Sequence, residues 1–143
     1  MIISAINSAI KDGLCLQWKD KINLFPTIEE KIVAFENQLL KKNYGAVVEI
    51  GEVLLPEIEK SKDPWLKSTF YSNLGLACTK VSSKNDKKAL EYLDKSLEID
   101  KEHQNEKRFV EKSKSIQEAR YKIDGTFLER FLEEYTNLFP PIN

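Results

Sequence analysis

The stretch DKKALEYLDKSLEID, Asp86 to Asp100, decides how this chain folds. Its small residues Ala89 and Ser96 lie seven positions apart, two helical turns, among the bulkier Leu93 and Ile99. A helix that buries small side chains lets its neighbours come close, so the stretch reads as a helix packed tightly on two sides. Ala89 is expected to cross the helix that carries Leu74 and Gly75, and Ser96 to face the helices that follow.

Outward from that stretch the same period recurs. Pro64 to Val81 places Leu66, Phe70, Leu74, Ala77 and Cys78 on one face, with Asp63 as N-cap and Pro64 in the first helical position. Thr27 and Glu30 form a capping box for a helix lined by Ile28, Ile32, Phe35 and Leu39, with Val33 and Leu40 adjacent. Asn43-Tyr44-Gly45 reads as the next turn, before a helix carrying Ala46, Val47, Ile50, Val53, Leu54 and Ile58. Pro56 predicts a kink or an end near Leu55, because proline removes a backbone hydrogen bond and crowds the preceding turn.

Towards the termini, residues 2–14 carry Ile2, Ile6, Ala9, Ile10 and Leu14 on one stripe. Gln104 to Ile123 has a thinner stripe of Phe109, Val110, Ile116, Ala119 and Ile123. Thr126 and Glu129 repeat the capping pattern ahead of an aromatic face from Phe127 to Phe139. The chain therefore reads as all-α, about seven antiparallel helices in a single domain over residues 1–143. Its parts are an N-terminal helix (1–22) and helix pairs at 27–61, 63–100 and 104–139.

Composition agrees with this reading and limits function. The 143 residues include only five Gly and five Pro, and 22 Lys and Arg stand against 23 Asp and Glu for a net charge of −1. No overall field argues for nucleic acid or a membrane surface, so neither is an expected partner. The lysines at 84, 87 and 88 are answered by Asp86, Glu91 and Asp94. Cys15 and Cys78 lack any framework spacing, which suits a reducing, cytoplasmic location, and Cys78 falls on an apolar stripe as a small hydrophobe. The opening MIISAINSAIKDG lacks a positive n-region and is not read as a leader.

Leu74, Gly75 and Cys78 followed by Ala89, Leu93, Ser96 and Ile99 resemble the tetratricopeptide repeat. Val33-Ala34, Tyr44, Ala46, Ile50 and Val53 form a fainter earlier copy, and Gln104 to Phe139 resembles a degenerate third unit or cap. The Ala46 to Ala89 spacing of 43 residues exceeds the family's ~34. The resemblance implies a right-handed α-solenoid whose first helices line a groove that binds a peptide or helix of another protein. In that register the groove residues are Lys31 and Phe35 from the earlier copy, then Ser72, Asn73, Leu76 and Lys80, then Arg108 and Lys112. Ile28, Gln38 and Thr69 share those faces. Lys31, Asn73 and Arg108 resemble a carboxylate clamp, although Phe35 stands where the clamp places a second Asn.

Enzymatic chemistry has little to stand on. His103 is the lone histidine, in a polar connection where solvation is the simplest role, and no phosphate loop, HExxH or GxSxG occurs. The chain is therefore expected to act without cofactor or metal, as an adaptor or chaperone-like module. A stand-alone immunity or inhibitor protein that neutralises a toxin, and a structural homo-oligomer or homodimer, are the alternatives. Ile2, Ile6 and Ile10 give the N-terminal helix an apolar face that would cover Ile28, Phe35 and Leu39 as a cap or a plug.

Overall fold

The structure, a computed structural model, describes residues 17–82 and 85–124. Among these there are six α-helices, one 3-10 turn and no strand: α1 (Trp18–Lys21), the turn Ile22–Leu24, α2 (Ile28–Leu40), α3 (Tyr44–Glu59), α4 (Pro64–Val81), α5 (Asp86–Lys101) and α6 (Lys107–Asp124). The helices expected over 2–14 and 126–139, with Cys15 and the N-terminal cap or plug, lie outside the described residues. No helix among the described residues is long and apolar enough to cross a membrane.

The chain divides at Asp63–Pro64 into two compact units. In the first, α2 packs against α3, and Lys31 Nζ lies 3.6 Å from Glu57 Oε1. The start of α2 is set as its sequence predicts, with Thr27 Oγ1 accepting a hydrogen bond from the Glu30 N–H at 3.1 Å. Its end differs. Lys42, not Gly45, makes the reversal, with φ of 60°, the left-handed region that costs a side-chain-bearing residue about 1–2 kcal/mol. The Asn43 N–H bonds back to Gln38 O at 3.0 Å and the Lys42 N–H to Leu39 O at 3.0 Å, the paired bonds of a Schellman motif. These satisfy two carbonyls that the helix end leaves over.

Gly45 therefore sits inside α3, and a Cβ built there meets nothing within 4 Å. Pro56 does not end this helix, which runs on to Glu59. The proline forfeits one hydrogen bond close to the helix end, and the burial of Ile58 two residues further holds the last turn in place.

The second unit is built on the pair that the opening stretch predicts. Gly75 of α4 meets α5 so closely that an added Cβ would stand 3.0 Å from Leu93 Cδ2 and Cγ and 3.1 Å from the Ala89 carbonyl oxygen. Ala89, Leu93 and Leu74 are fully buried around this crossing. One step along the pair, the Tyr71 and Tyr92 rings stack with centroids 6.5 Å apart. Helix α6 then packs on α5, and starts at Lys107 and not Gln104 because the chain first turns through hydrogen bonds from the His103 N–H to Asp100 O and from the Glu106 N–H to His103 O.

Two glycines in helices thus make opposite demands. Gly45→Ala is expected to raise unfolding free energy by about 0.5–1 kcal/mol through helix propensity alone. Gly75→Ala is expected to lower it by about 1 kcal/mol or more, overpacking against a backbone carbonyl that cannot retreat. Urea denaturation followed by circular dichroism checks both, and Lys42→Gly should behave like Gly45→Ala.

Candidate functional site

A buried polar knot fixes the three described helices of the second unit. Ser68 on α4, Ser96 and Asp100 on α5, and Lys112 on α6 converge inside it. Ser96 Oγ donates to Ser68 O at 2.8 Å, and the two serine hydroxyls lie 2.9 Å apart. Lys112 Nζ reaches both carboxylate oxygens of Asp100, at 2.6 and 2.7 Å, and also touches Ser68 Oγ. The Asp100 side chain is 1% exposed and that of Lys112 14%. Ser96 therefore serves two crossings. It faces α6 as its sequence predicts, and it also grips α4, which the sequence reading did not assign to it.

Burial in this knot lowers the Lys112 pKa below its ordinary 10.5, and the hydrogen bond and charge of Asp100 pull it partly back. The folded protein thus binds fewer protons than the unfolded chain between the lowered value and 10.5, so stability rises with pH across that window.

The knot sets α4 and α6 parallel. Both run antiparallel to α5, since Ser68 meets Asp100 while Gly75 meets Leu93, and Lys112 meets Asp100 while Arg120 Nε reaches Asp94 Oδ1 at 2.6 Å. The Trp65 ring meets that of Phe109 edge-on at 5.1 Å, and Ser68 meets Lys112, each pair 44 residues apart. Arg108 lies over the Trp65 face at 4.7 Å and 3.6 Å from Glu106. His103 is half-buried rather than simply solvated, stacked on Phe109 at 4.7 Å with Nδ1 3.2 Å from Glu106 Oε2.

At the other end the same two helices open into a cleft of about 320 Å³. Leu76, Ala119 and Ile123 provide its apolar lining. Thr79 and Ser115 add hydroxyls, and Lys80, Glu118 and Lys122 add charge. Lys122 is answered by Glu118 at 3.6 Å, whereas Lys80 has no ion-pair partner among the described residues. Leu76 stays 36% exposed there, a large apolar side chain left to solvent.

Of the residues singled out in the sequence, Leu76 and Lys80 line this cleft. Asn73 lies one turn before Leu76 on α4, half-buried, and Ser72 is buried with its hydroxyl donating to Thr69 O at 2.9 Å. Arg108 lies against Trp65, 53% exposed, on the α6 face that leads to Ser115 and Ala119. Lys112 is a structural group, spent on Asp100. Phe35 is 1% exposed and cannot serve as groove wall, and Lys31 is tied to Glu57 in the first unit. The sequence reading missed Thr79 on α4 and all five of the α6 residues, Ser115, Glu118, Ala119, Lys122 and Ile123, six of the eight that line the cleft. The signal for the five on α6 was their i, i+3, i+4, i+7, i+8 spacing, which marks a single helix face.

Comparison with known proteins returns no matching family model, no matching curated protein and no matching solved structure. The chain has to be read from its own residues. Among those described, no three His, Cys, Asp or Glu side chains gather as a ligand set for a metal ion.

Asp100→Ala is expected to cost about 3–5 kcal/mol by stranding Lys112, while Asp100→Leu with Lys112→Met recovers most of it. Denaturation across the alkaline range below pH 10.5 should show the rise in wild type and none in Lys112→Met.

Proposed function

We propose that this protein is a small protein-binding module that holds a peptide or helix of a partner in the α4/α6 cleft, as an adaptor or chaperone-like protein without chemistry of its own. The observation that carries the reading is the cleft itself. Two parallel helices, pinned together at Ser68 and Lys112, leave an apolar lining with exposed Leu76 between them. A recess of this kind gains free energy when another apolar side chain displaces its water, roughly 25 cal/mol per Å² of apolar surface covered.

The α4–α5 pair followed by a parallel α6 also supports a tetratricopeptide-like arrangement of about seven helices, in which α4 and α6 are the first helices of consecutive pairs. The offset of 44 residues, seen at Trp65 with Phe109, is longer than the ~34 of that family. Helix-in-groove recognition needs no cofactor, and His103, committed to Phe109 and Glu106, supports no role as a base.

A photo-crosslinking residue placed at Leu76 is expected to trap one protein partner in cells, and the same residue at Lys87, exposed on α5, to trap none. Capture must then be reproduced with the purified partner and abolished by Ala119→Arg in the cleft. Equal capture from both positions, or capture insensitive to the cleft substitution, overturns the reading.

A further inference from the structure

The charge of the second unit is sorted by helix. α4 holds two lysines and no acid, and α6 six Lys and Arg against three acids, so the two helices that line the cleft carry eight positive charges against three negative. This is a net +5 in a chain whose total is −1. Helix α5 takes up two of the cations, Lys112 with Asp100 and Arg120 with Asp94. The exposed pairs Lys107–Glu111 and Lys122–Glu118 add little stability, and their acids are already counted in that sum. Among the described residues Lys80 has no counter-ion in the cleft, and Arg108, 3.6 Å from Glu106, stands half-exposed outside the lining on the same face of α6.

Resting on the groove reading above, we infer that the cleft takes an acidic amphipathic segment of another protein. Its carboxylates meet Lys80 and Arg108, and its apolar side chains cover Leu76, Ala119 and Ile123. Arg108 and Lys122 lie fourteen residues apart on α6, about 21 Å at 1.5 Å per residue, a span that about fourteen residues of helix or seven of extended chain would cover. Among the described residues Glu118 is the one carboxylate in the lining, and it is tied to Lys122. It holds the occupant's acids away from the cleft centre, towards Lys80 at one side and towards Arg108, which an incoming carboxylate would share with the half-exposed Glu106, beyond the lining.

Charge alone would equally suit a nucleic acid, but the lining does not. Single strands are held by stacking on aromatic rings, and none of the described residues that line the cleft is aromatic. Trp65, at the other end of α4, already has Arg108 over its ring. An apolar centre between cations fits leucine-like and glutamate-like side chains on one face of a peptide.

The test pans a phage-displayed library of random peptides of about sixteen residues against the intact chain and subtracts those retained by a Leu76→Asp, Lys80→Glu variant. Both substituted positions are exposed, and Lys80→Glu alone serves if the double variant melts early. Selected peptides are then titrated by fluorescence anisotropy at low and high salt, with a poly-dT oligonucleotide in parallel. The expected result is enrichment of acidic amphipathic peptides whose affinity falls about tenfold with Lys80→Glu and weakens as salt rises. Neutral or basic peptides enriched only on wild type overturn the acidic assignment and leave the groove reading standing. No difference between wild type and variant overturns both. Oligonucleotide binding that needs Lys80, with no peptide selected, assigns the cleft to nucleic acid. A dimer seen by light scattering and lost with Leu76→Asp assigns it to a second copy. Either outcome overturns the inference.

Discussion

One ammonium group, Lys112 Nζ, holds the second unit in register. It reaches α4 through Ser68 and α5 through both oxygens of Asp100, so three helices meet at a point about the size of a few water molecules. Apolar packing is forgiving about rotation and sliding, whereas a bidentate ion pair in a nearly dry setting is not. The pair is a poor source of net stability because two charges lose their water. Its contribution is specificity. With Lys112 seated, α6 runs parallel to α4 at an offset of 44 residues, and the position of every cleft residue on α6 follows from that.

The close approach at Gly75 is the complementary constraint. Where the α4 backbone lies against Leu93 and the Ala89 carbonyl, no side chain intervenes, and the neighbouring Leu74 and Cys78 are drawn fully inside. The α4 residues on the opposite side, Leu76 and Lys80 among them, are thereby turned outward. Packing on one face of α4 and a solvent-facing cleft wall on the other are two consequences of a single helix rotation.

Much of this could be read in the chain before any coordinates. The capping threonine at 27, the Asp63-Pro64 start and the small residues at Ala89 and Ser96 act through local chemistry, and all sit where periodicity placed them. Lys42 was illegible because a left-handed lysine carries no composition signal, and the neighbouring Asn43-Tyr44-Gly45 looked like the better turn. Pro56 misled because the cost of one lost hydrogen bond was weighed without the burial of Ile58. In the site, Leu76 and Lys80 came from the best-marked helix, where Leu74-Gly75 fixes the rotation. The α6 half was missed because that helix has a thin apolar stripe and no small-residue marker, and Lys112 could not be told from a solvated lysine until Asp100 stood beside it.

The knot and the cleft occupy different stretches of the same two helices, Ser68 and Lys112 at one level, Leu76 and Ala119 at another. Eight residues of α4 separate Ser68 from Leu76, about 12 Å of helix, beyond the range at which substitutions ordinarily interfere with one another. The residues that assemble the helices and the residues that line the cleft are therefore separate sets of positions. Substitutions among the cleft side chains can accumulate in lineages of this protein while the lysine that assembles the helices stays untouched.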